Sequence, residues 1–225
     1  MDEVEKLYNE GKLLERAMDQ PYMRINRQGR YYDCGSWVDE FEYLMNEGLN
    51  SLSTTLVIPG VGVKNYKNIG FLINSDLAEC FHIAKTDSGS CGSVRLGDFS
   101  ANKPDFDSIS ELANYIRETK ETTMNEVNVN VKLDGIVGLF INKCTISDTL
   151  LKKIYIVRVL LKSLTGIIYP TYLYDWTLGK LEKIEITDEL AEELANELDC
   201  QTVMCWPDRY DNPEYISLAP KGLTK

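Results

Sequence analysis

The stretch TTMNEVNVNV, residues 122 to 131, sets one acid, Glu126, at the head of a segment in which Val127, Val129 and Val131 alternate with Asn128 and Asn130. Such alternation predicts a strand with Glu126 and the two asparagines on one face and the valines on the other. A lone carboxylate there is either an ordinary solvated strand-edge residue or a group aimed at a developing positive charge. Two other stretches carry residues suited to the second role. PYMRINRQGRYY supplies Arg24, Arg27 and Arg30, a basic spot in an acidic chain, and an arginine fork matches phosphate better than a lysine does. SLSTTLVIPG puts Ser53, Thr54 and Thr55 at the start of a β-branched run, where a hydroxyl can hold a carboxylate in line.

In chain order, the arginine of PYMRINR, the STT of SLSTTLV and the glutamate of MNEV resemble the arginine, serine and glutamate pattern of mono-ADP-ribosyltransferases, toxin-like enzymes that move ADP-ribose from NAD. The strands EVNVNV and IVGLFIN look like the pair that follows the family's glutamate, and the likeness spans residues 20 to 185. The resemblance implies Glu126 as the catalytic acid at the nicotinamide ribose and Arg24 as the NAD anchor. It also implies Ser53, Thr54 and Thr55 as the strand shaping the nicotinamide pocket, His82 bordering the cleft, and Asp87 to Gly92 as a flap. NAD would be a substrate, no metal would be needed, and a protein would accept the ADP-ribose, as in bacterial effectors and toxins. Arg27 and Arg30 share the stretch with Arg24 and stay open as anchors. Family members that modify protein arginine carry a second acid two residues before the glutamate; Met124 stands there, so the acceptor stays open, water included.

Two other classes compete. GRYYDCGSWVDEF puts Cys34 just before an expected helix, whose dipole would lower a thiol pKa, and it resembles the entry of bacterial cell-wall cysteine peptidases. Cys34 as nucleophile with His82 as base would make a hydrolase. IGFLINSDLAECFHIA resembles that family's strand pair ending in a histidine, but the family's principal base sits just before the first of those two strands, where this chain has Asn68, and the glycine and serine after the cysteine are inverted. The third class is an acidic, non-enzymatic binder such as an immunity or inhibitor protein, whose surface would neutralise a basic partner.

Charge and composition bound all three. With 24 Lys and Arg against 35 Asp and Glu, the formal charge of −11 opposes binding by broad phosphate neutralisation, so no nucleic-acid partner is expected. No run approaches the roughly 18 apolar residues of a membrane span, and MDEVEKLYNE is unlike a signal peptide. A soluble, cytoplasm-made protein is expected, and any delivery into a host or rival cell would proceed without a cleaved signal peptide. Six scattered cysteines without a CxxC pair and a single histidine predict reduced thiols and no structural zinc.

The elements must then bring these residues together. Residues 1–19 predict one broken helix, interrupted at Gly11, and SWVDEFEYLMNEGL predicts another. Short runs in STTLVIPGVGV, NIGFLINS, ECFHIAK, NEVNVNVK, DGIVGLFIN, IIYPTYLYDW and LEKIEI predict strands. Ser108 and Glu111 form a capping box ahead of a helix, Ser147 or Asp148 starts the most apolar helix, which Gly166 ends, and TDELAEELANELD reads as an acidic helix. The expected fold is α+β, with two largely antiparallel β-sheets forming a central cleft flanked by helices. One domain is expected over residues 1–225, with the catalytic core at 20–185 and a C-terminal helix and tail at 186–225.

Overall fold

The computed structural model describes residues 2–18, 24–25, 31–32, 52–64, 68–86, 104–121, 124–131, 133–147, 150–151, 154, 158, 162, 166–185, 200–203 and 216–220. Helix α1 spans Glu3–Glu10. Asp2 caps it, its Oδ1 accepting from Glu5 N at 3.0 Å, and the early acids Glu3 and Glu5 suit the positive end of the helix dipole. At the other end Gly11 adopts φ +75°; Gly11 N donates to Tyr8 O and Lys12 N to Leu7 O, which is a Schellman closure. The expected helix over residues 1–19 therefore stops at Glu10. The next element is a strand, β1, Leu13–Met18, because the left-handed glycine turns the chain before Leu13 and Leu14 can join the helical stripe.

Ten of the remaining strands flank or succeed it: β2 (Arg24–Ile25), β3 (Tyr31–Tyr32), β4 (Leu52–Val57), β5 (Ile69–Asn74), β6 (Ala78–Ala84), β7 (Glu126–Val131), β8 (Ile136–Asn142), β9 (Thr171–Asp175), β10 (Lys180–Ile184) and β11 (Cys200–Val203). Strand β12, Ile216–Pro220, completes the set. Eight form one mixed sheet in the order β10-β9-β8-β5-β1-β4-β7-β6, and four form a second in the order β11-β12-β2-β3. The protein is α+β. All pairings in the large sheet are antiparallel except β8 with β9, which a parallel register joins at Leu139 opposite Thr171.

A parallel pair needs a crossover, and the described residues Leu150, Leu151, Ile154, Arg158 and Lys162 of that connection are helical. Ser147 starts it, its Oγ accepting from Leu150 N and its carbonyl from Leu151 N; Gly166, at φ +72°, ends it with N–H to Lys162 O. Helix α2, Ile109–Thr119, begins as the capping box predicts: Ser108 Oγ accepts from Glu111 N at 3.2 Å. The reciprocal bond goes to Asp107 N, one residue earlier than the motif's usual partner.

The central strands β5 and β8 are buried along their full length and carry apolar side chains to both faces. On one face Leu14, Leu56, Phe71, Ile73, Val127, Val129 and Leu139 pack with Leu112 and Ile116 of α2 and with Ile154. On the other face Leu13, Val57, Leu72, Phe140, Tyr172 and Tyr174 pack with Val4 and Leu7 of α1. Gly70 permits this second cluster to close: a Cβ there would lie 2.2 Å from Arg16 O and 2.4 Å from a ring carbon of Phe140. The predicted helices over 36–49 and 187–199, the flap Asp87 to Gly92, and Cys34, Arg27 and Arg30 lie outside the described residues.

Candidate active site

Strand pairing decides which of the candidate side chains share a face. β4 runs antiparallel to β7 with Ser53 opposite Asn128 and Thr54 opposite Val127. β6 lies on the far side of β7, with His82 opposite Asn128 and Ala84 opposite Glu126. β1 flanks β4 on its other edge, with Glu15 opposite Thr55. Paired residues project to the same side of a sheet. Val127, Val129 and Val131 belong to the cluster under α2, so Glu126 and Asn128 face the opposite way, the side that carries α1. Ser53, Thr55, Glu15 and His82 share that side. The α1 face is thus apolar and helix-covered over β9, β8 and β5, and polar over β1, β4, β7 and β6.

Of the two settings the alternation of β7 allows, a solvated edge or a sheltered face, the burial of this polar half fits the second. Glu126 is 6% exposed, Asn128 is buried beside it, and His82 and Glu15 are 3% exposed each; Ser53 is exposed and Thr55 half-buried. Charges and amides out of bulk water act on one another and on a ligand at a lower effective dielectric, which magnifies each interaction.

His82 reaches this face through an irregularity. Cys80 pairs with Val129 and His82 with Asn128, so Phe81 is an extra residue in the ladder. Without that bulge His82 would stand opposite Val127 and project under α2; the inserted residue re-aims the imidazole toward Asn128. Strict two-residue alternation through Phe81, His82 and Ile83 cannot disclose this.

β4 is fixed to β7 by side chains as well as by its ladder. Thr54 Oγ1 donates to Val127 O at 2.6 Å, a buried bond. Thr54 projects toward α2, with Leu56, so its hydroxyl joins the two strands and the exposed hydroxyl on the Glu126 face is that of Ser53. Beyond Thr54 the Asn125 side chain takes over from the backbone: its Oδ1 accepts from Leu56 N at 2.8 Å and its Nδ2 donates to Leu56 O at 3.2 Å. Asn125 and Glu126 are adjacent, so this amide sets where the carboxylate stands relative to β4.

Arg24 lies on β2, in the four-stranded sheet, where it pairs with Tyr32 of β3 and Ser217 of β12. Among the described residues an arginine does touch the Ser53 strand: Arg16 Nη1 donates to Ser53 O at 2.8 Å. The β1 to β4 ladder ends at Glu15 opposite Thr55, and the Arg16 guanidinium bridges the strands just past that point. Arg16, Glu15 and Asn125 are the residues that sequence patterns alone do not single out. The first two fall inside an expected helix, and the signal that could release them is the Asp2 cap with the Gly11 stop, which together define a helix of two turns.

Among the described residues no group of three or more His, Cys, Asp and Glu side chains could hold a metal ion, and no helix is long and apolar enough to cross a membrane. Cys80 and Cys144 are free thiols. No protein-family model matches the chain, and no curated protein sequence matches it.

Proposed function

We propose that the protein is an NAD-dependent mono-ADP-ribosyltransferase of the effector or toxin kind, with Glu126 as its catalytic acid. The observation that carries this reading is the pairing of Ser53 with Asn128: it makes the Ser-Thr-Thr strand and the glutamate strand immediate neighbours and turns Ser53 and Glu126 to one face of one sheet. The chemistry needs little more. Departure of nicotinamide leaves an oxocarbenium-like ribose, and one carboxylate in a buried setting favours that charge over bound NAD. Ser53, free to rotate its exposed hydroxyl, steers the carboxylate or the nicotinamide ribose; Thr54 and Asn125 hold the strands that carry them. Arg24 on the smaller sheet takes the NAD phosphates, and His82 and Asn128 line the far side of the pocket. In this reading the two sheets face one another across the cleft that receives NAD, and a protein side chain or water takes the ADP-ribose.

The test is nicotinamide release from NAD by the purified full chain, alone and with cell lysate, compared with Glu126→Gln and Cys34→Ala. Release by the parent and by Cys34→Ala, with a loss of at least about 100-fold in Glu126→Gln, supports the transferase. No release under any condition rejects it. Mass spectrometry of lysate proteins for added ADP-ribose then identifies the acceptor.

A further inference from the structure

Of the large apolar side chains that the described residues expose, one is aromatic: Tyr115, on the outer side of α2, 38% exposed. Leu112, Ala113 and Ile116 turn the other side of this helix to the sheet, on the face away from Glu126. The Tyr115 ring is anchored. It lies 5.4 Å from the ring of Phe106, tilted by 46°, and Phe106 is itself packed against the core. The approach to the helix is fixed as well, because Asp105 N and Phe106 N both donate to Ile83 O on the outer edge of β6. A ring held in this way loses little conformational freedom when a partner covers it.

The charge around the ring selects what can cover it. Glu111, four residues before Tyr115, and Glu118, three after, share its ridge of the helix, with Cβ atoms about 5 to 6 Å away. Glu111 Oε2 accepts from Asp107 N at 3.0 Å, which holds that carboxylate on the N-terminal side of the ring. Glu118 stands in the last turn, at the negative end of the helix dipole, and has no hydrogen bond or ion pair among the described residues. The neighbouring base is turned elsewhere: Arg117 Nη2 donates to Asn9 O at the end of α1. From Pro104 to Glu121 five acids stand against two bases, so the surface has the sign of the whole chain. An acid set against the dipole without a counterion is a local conflict of the kind found at binding sites. An apolar partner would strip water from these carboxylates without pairing them, whereas a guanidinium stacks on the ring and donates to an acid on either side.

We infer that the outer face of α2 is a docking surface for an arginine-bearing segment of a protein partner. A guanidinium lies on the Tyr115 ring and donates to Glu118 and Glu111. A second copy of the same face does not fit, since it would set like charges against one another. The inference is independent of the reaction assigned to Glu126, which lies on the opposite face of the sheet.

The experiment titrates the full chain into fluorescein-labelled peptides in which glycine alternates with arginine, lysine or glutamate, at physiological ionic strength, and reads fluorescence anisotropy. Tyr115→Ala, Tyr115→Phe, Glu118→Gln and Asp134→Asn are compared, each checked by thermal unfolding. Asp134 is an exposed acid outside α2, so its loss controls for net charge. The arginine peptide is expected to bind about threefold or more tighter than the lysine peptide, and the glutamate peptide not at all. Tyr115→Ala should weaken arginine binding about tenfold and Glu118→Gln about threefold, while Tyr115→Phe, which keeps the ring face, and Asp134→Asn stay within about twofold of the parent. Absence of binding, equal binding of the lysine peptide, or binding that Tyr115→Ala leaves unchanged overturns the inference. Equal losses in Glu118→Gln and Asp134→Asn also overturn it, because they report the overall charge of −11 alone; this pair decides should Tyr115→Ala not fold. Sedimentation of the chain by itself supplies the remaining arm: a dimer that Tyr115→Ala dissociates gives the face to a second copy and overturns the inference. None of these outcomes depends on nicotinamide release, so failure here leaves the transferase reading standing.

Discussion

The side-chain amide of Asn125 holds both backbone groups of Leu56, accepting from its N–H at 2.8 Å and donating to its carbonyl at 3.2 Å. The arrangement imitates a rung of the β4 to β7 ladder two residues beyond Thr54, where a side chain stands in for the neighbouring strand. Leu56 is fully buried, so removing the amide leaves a peptide N–H and C=O without partners in the core. Asn125→Ala is expected to cost about 3 kcal/mol in urea-induced unfolding, since each orphaned buried group carries its desolvation penalty. Asn125→Asp retains an acceptor for Leu56 N and sets a carboxylate against Leu56 O, and should be no better tolerated than alanine.

Asp2 joins three elements. Its Oδ1 caps α1, and its Oδ2 accepts from Tyr172 Oη of β9 at 2.7 Å and from Lys183 Nζ of β10 at 3.1 Å. Partial burial pushes its pKa up, but the bonds from Glu5 N, Tyr172 and Lys183 outweigh that effect and leave it below the ordinary 3.8. A carboxyl depressed in the folded state contributes stability that is present above its unfolded pKa and lost as pH falls through the folded value. Stability should therefore decline below about pH 4, and Asp2→Asn should flatten that part of the curve. At pH 7 Asp2→Ala is expected to cost about 1 kcal/mol from the cap alone. Unfolding followed by circular dichroism from pH 2 to 7 checks both.

Gly11 ends α1 in a conformation that side chains resist and in a space they cannot enter. Its φ is +75°, and a Cβ would stand 2.7 Å from Arg117 Nη2 and 3.1 Å from a methyl of Ile58. The arginine tip can give way and the branched isoleucine less easily, so Gly11→Ala should cost about 2 kcal/mol, more than the roughly 1 kcal/mol of left-handed strain alone. The readout is the midpoint of thermal unfolding compared with Gly60→Ala, which has a similar φ of +73° and open space around it.

Much of this fold is legible in local chemistry. The alternation of Val127, Val129 and Val131, the unbroken apolar runs of β5 and β8, the Ser108 cap with Glu111, and the Ser147 start and Gly166 stop all act within a few residues of themselves. The helical expectation for β1 fails for a physical reason: Val4, Leu7, Leu14 and Met18 fit a helical stripe, and only the left-handed turn at Gly11 separates the two that are helical from the two that are not. Burial of Glu126 and Asn128 is illegible too, because alternation reports which face a residue takes and not what covers that face. The placement of His82 depends on one extra residue at Phe81, and that of Arg16 beside Ser53 on a ladder that stops at Thr55; both are set by partners distant in sequence.

Two arginines with different geometry should separate in kinetics. Arg16 Nη1 is engaged with Ser53 O, so its work in the proposed enzyme is to hold β4 in place beneath Glu126, a positioning role. Arg24, on the smaller sheet, is the proposed partner of the NAD phosphates, which bind alike in the ground state and the transition state. Loss of uniform binding raises KM with kcat unchanged, whereas misplacement of a group that acts on the transition state lowers kcat. Arg24→Ala is therefore expected to raise KM for NAD on the order of 10-fold or more, corresponding to one charge-assisted contact of about 1.5 kcal/mol or above, with little change in kcat. Arg16→Ala should lower kcat severalfold at similar KM and lose about 1 kcal/mol of stability, with Arg16→Lys restoring part of both because an ammonium can still donate to the Ser53 carbonyl. Initial rates of nicotinamide release over a range of NAD concentrations, with thermal unfolding run in parallel, give all three readouts; a KM effect in Arg16→Ala and none in Arg24→Ala would exchange the two assignments.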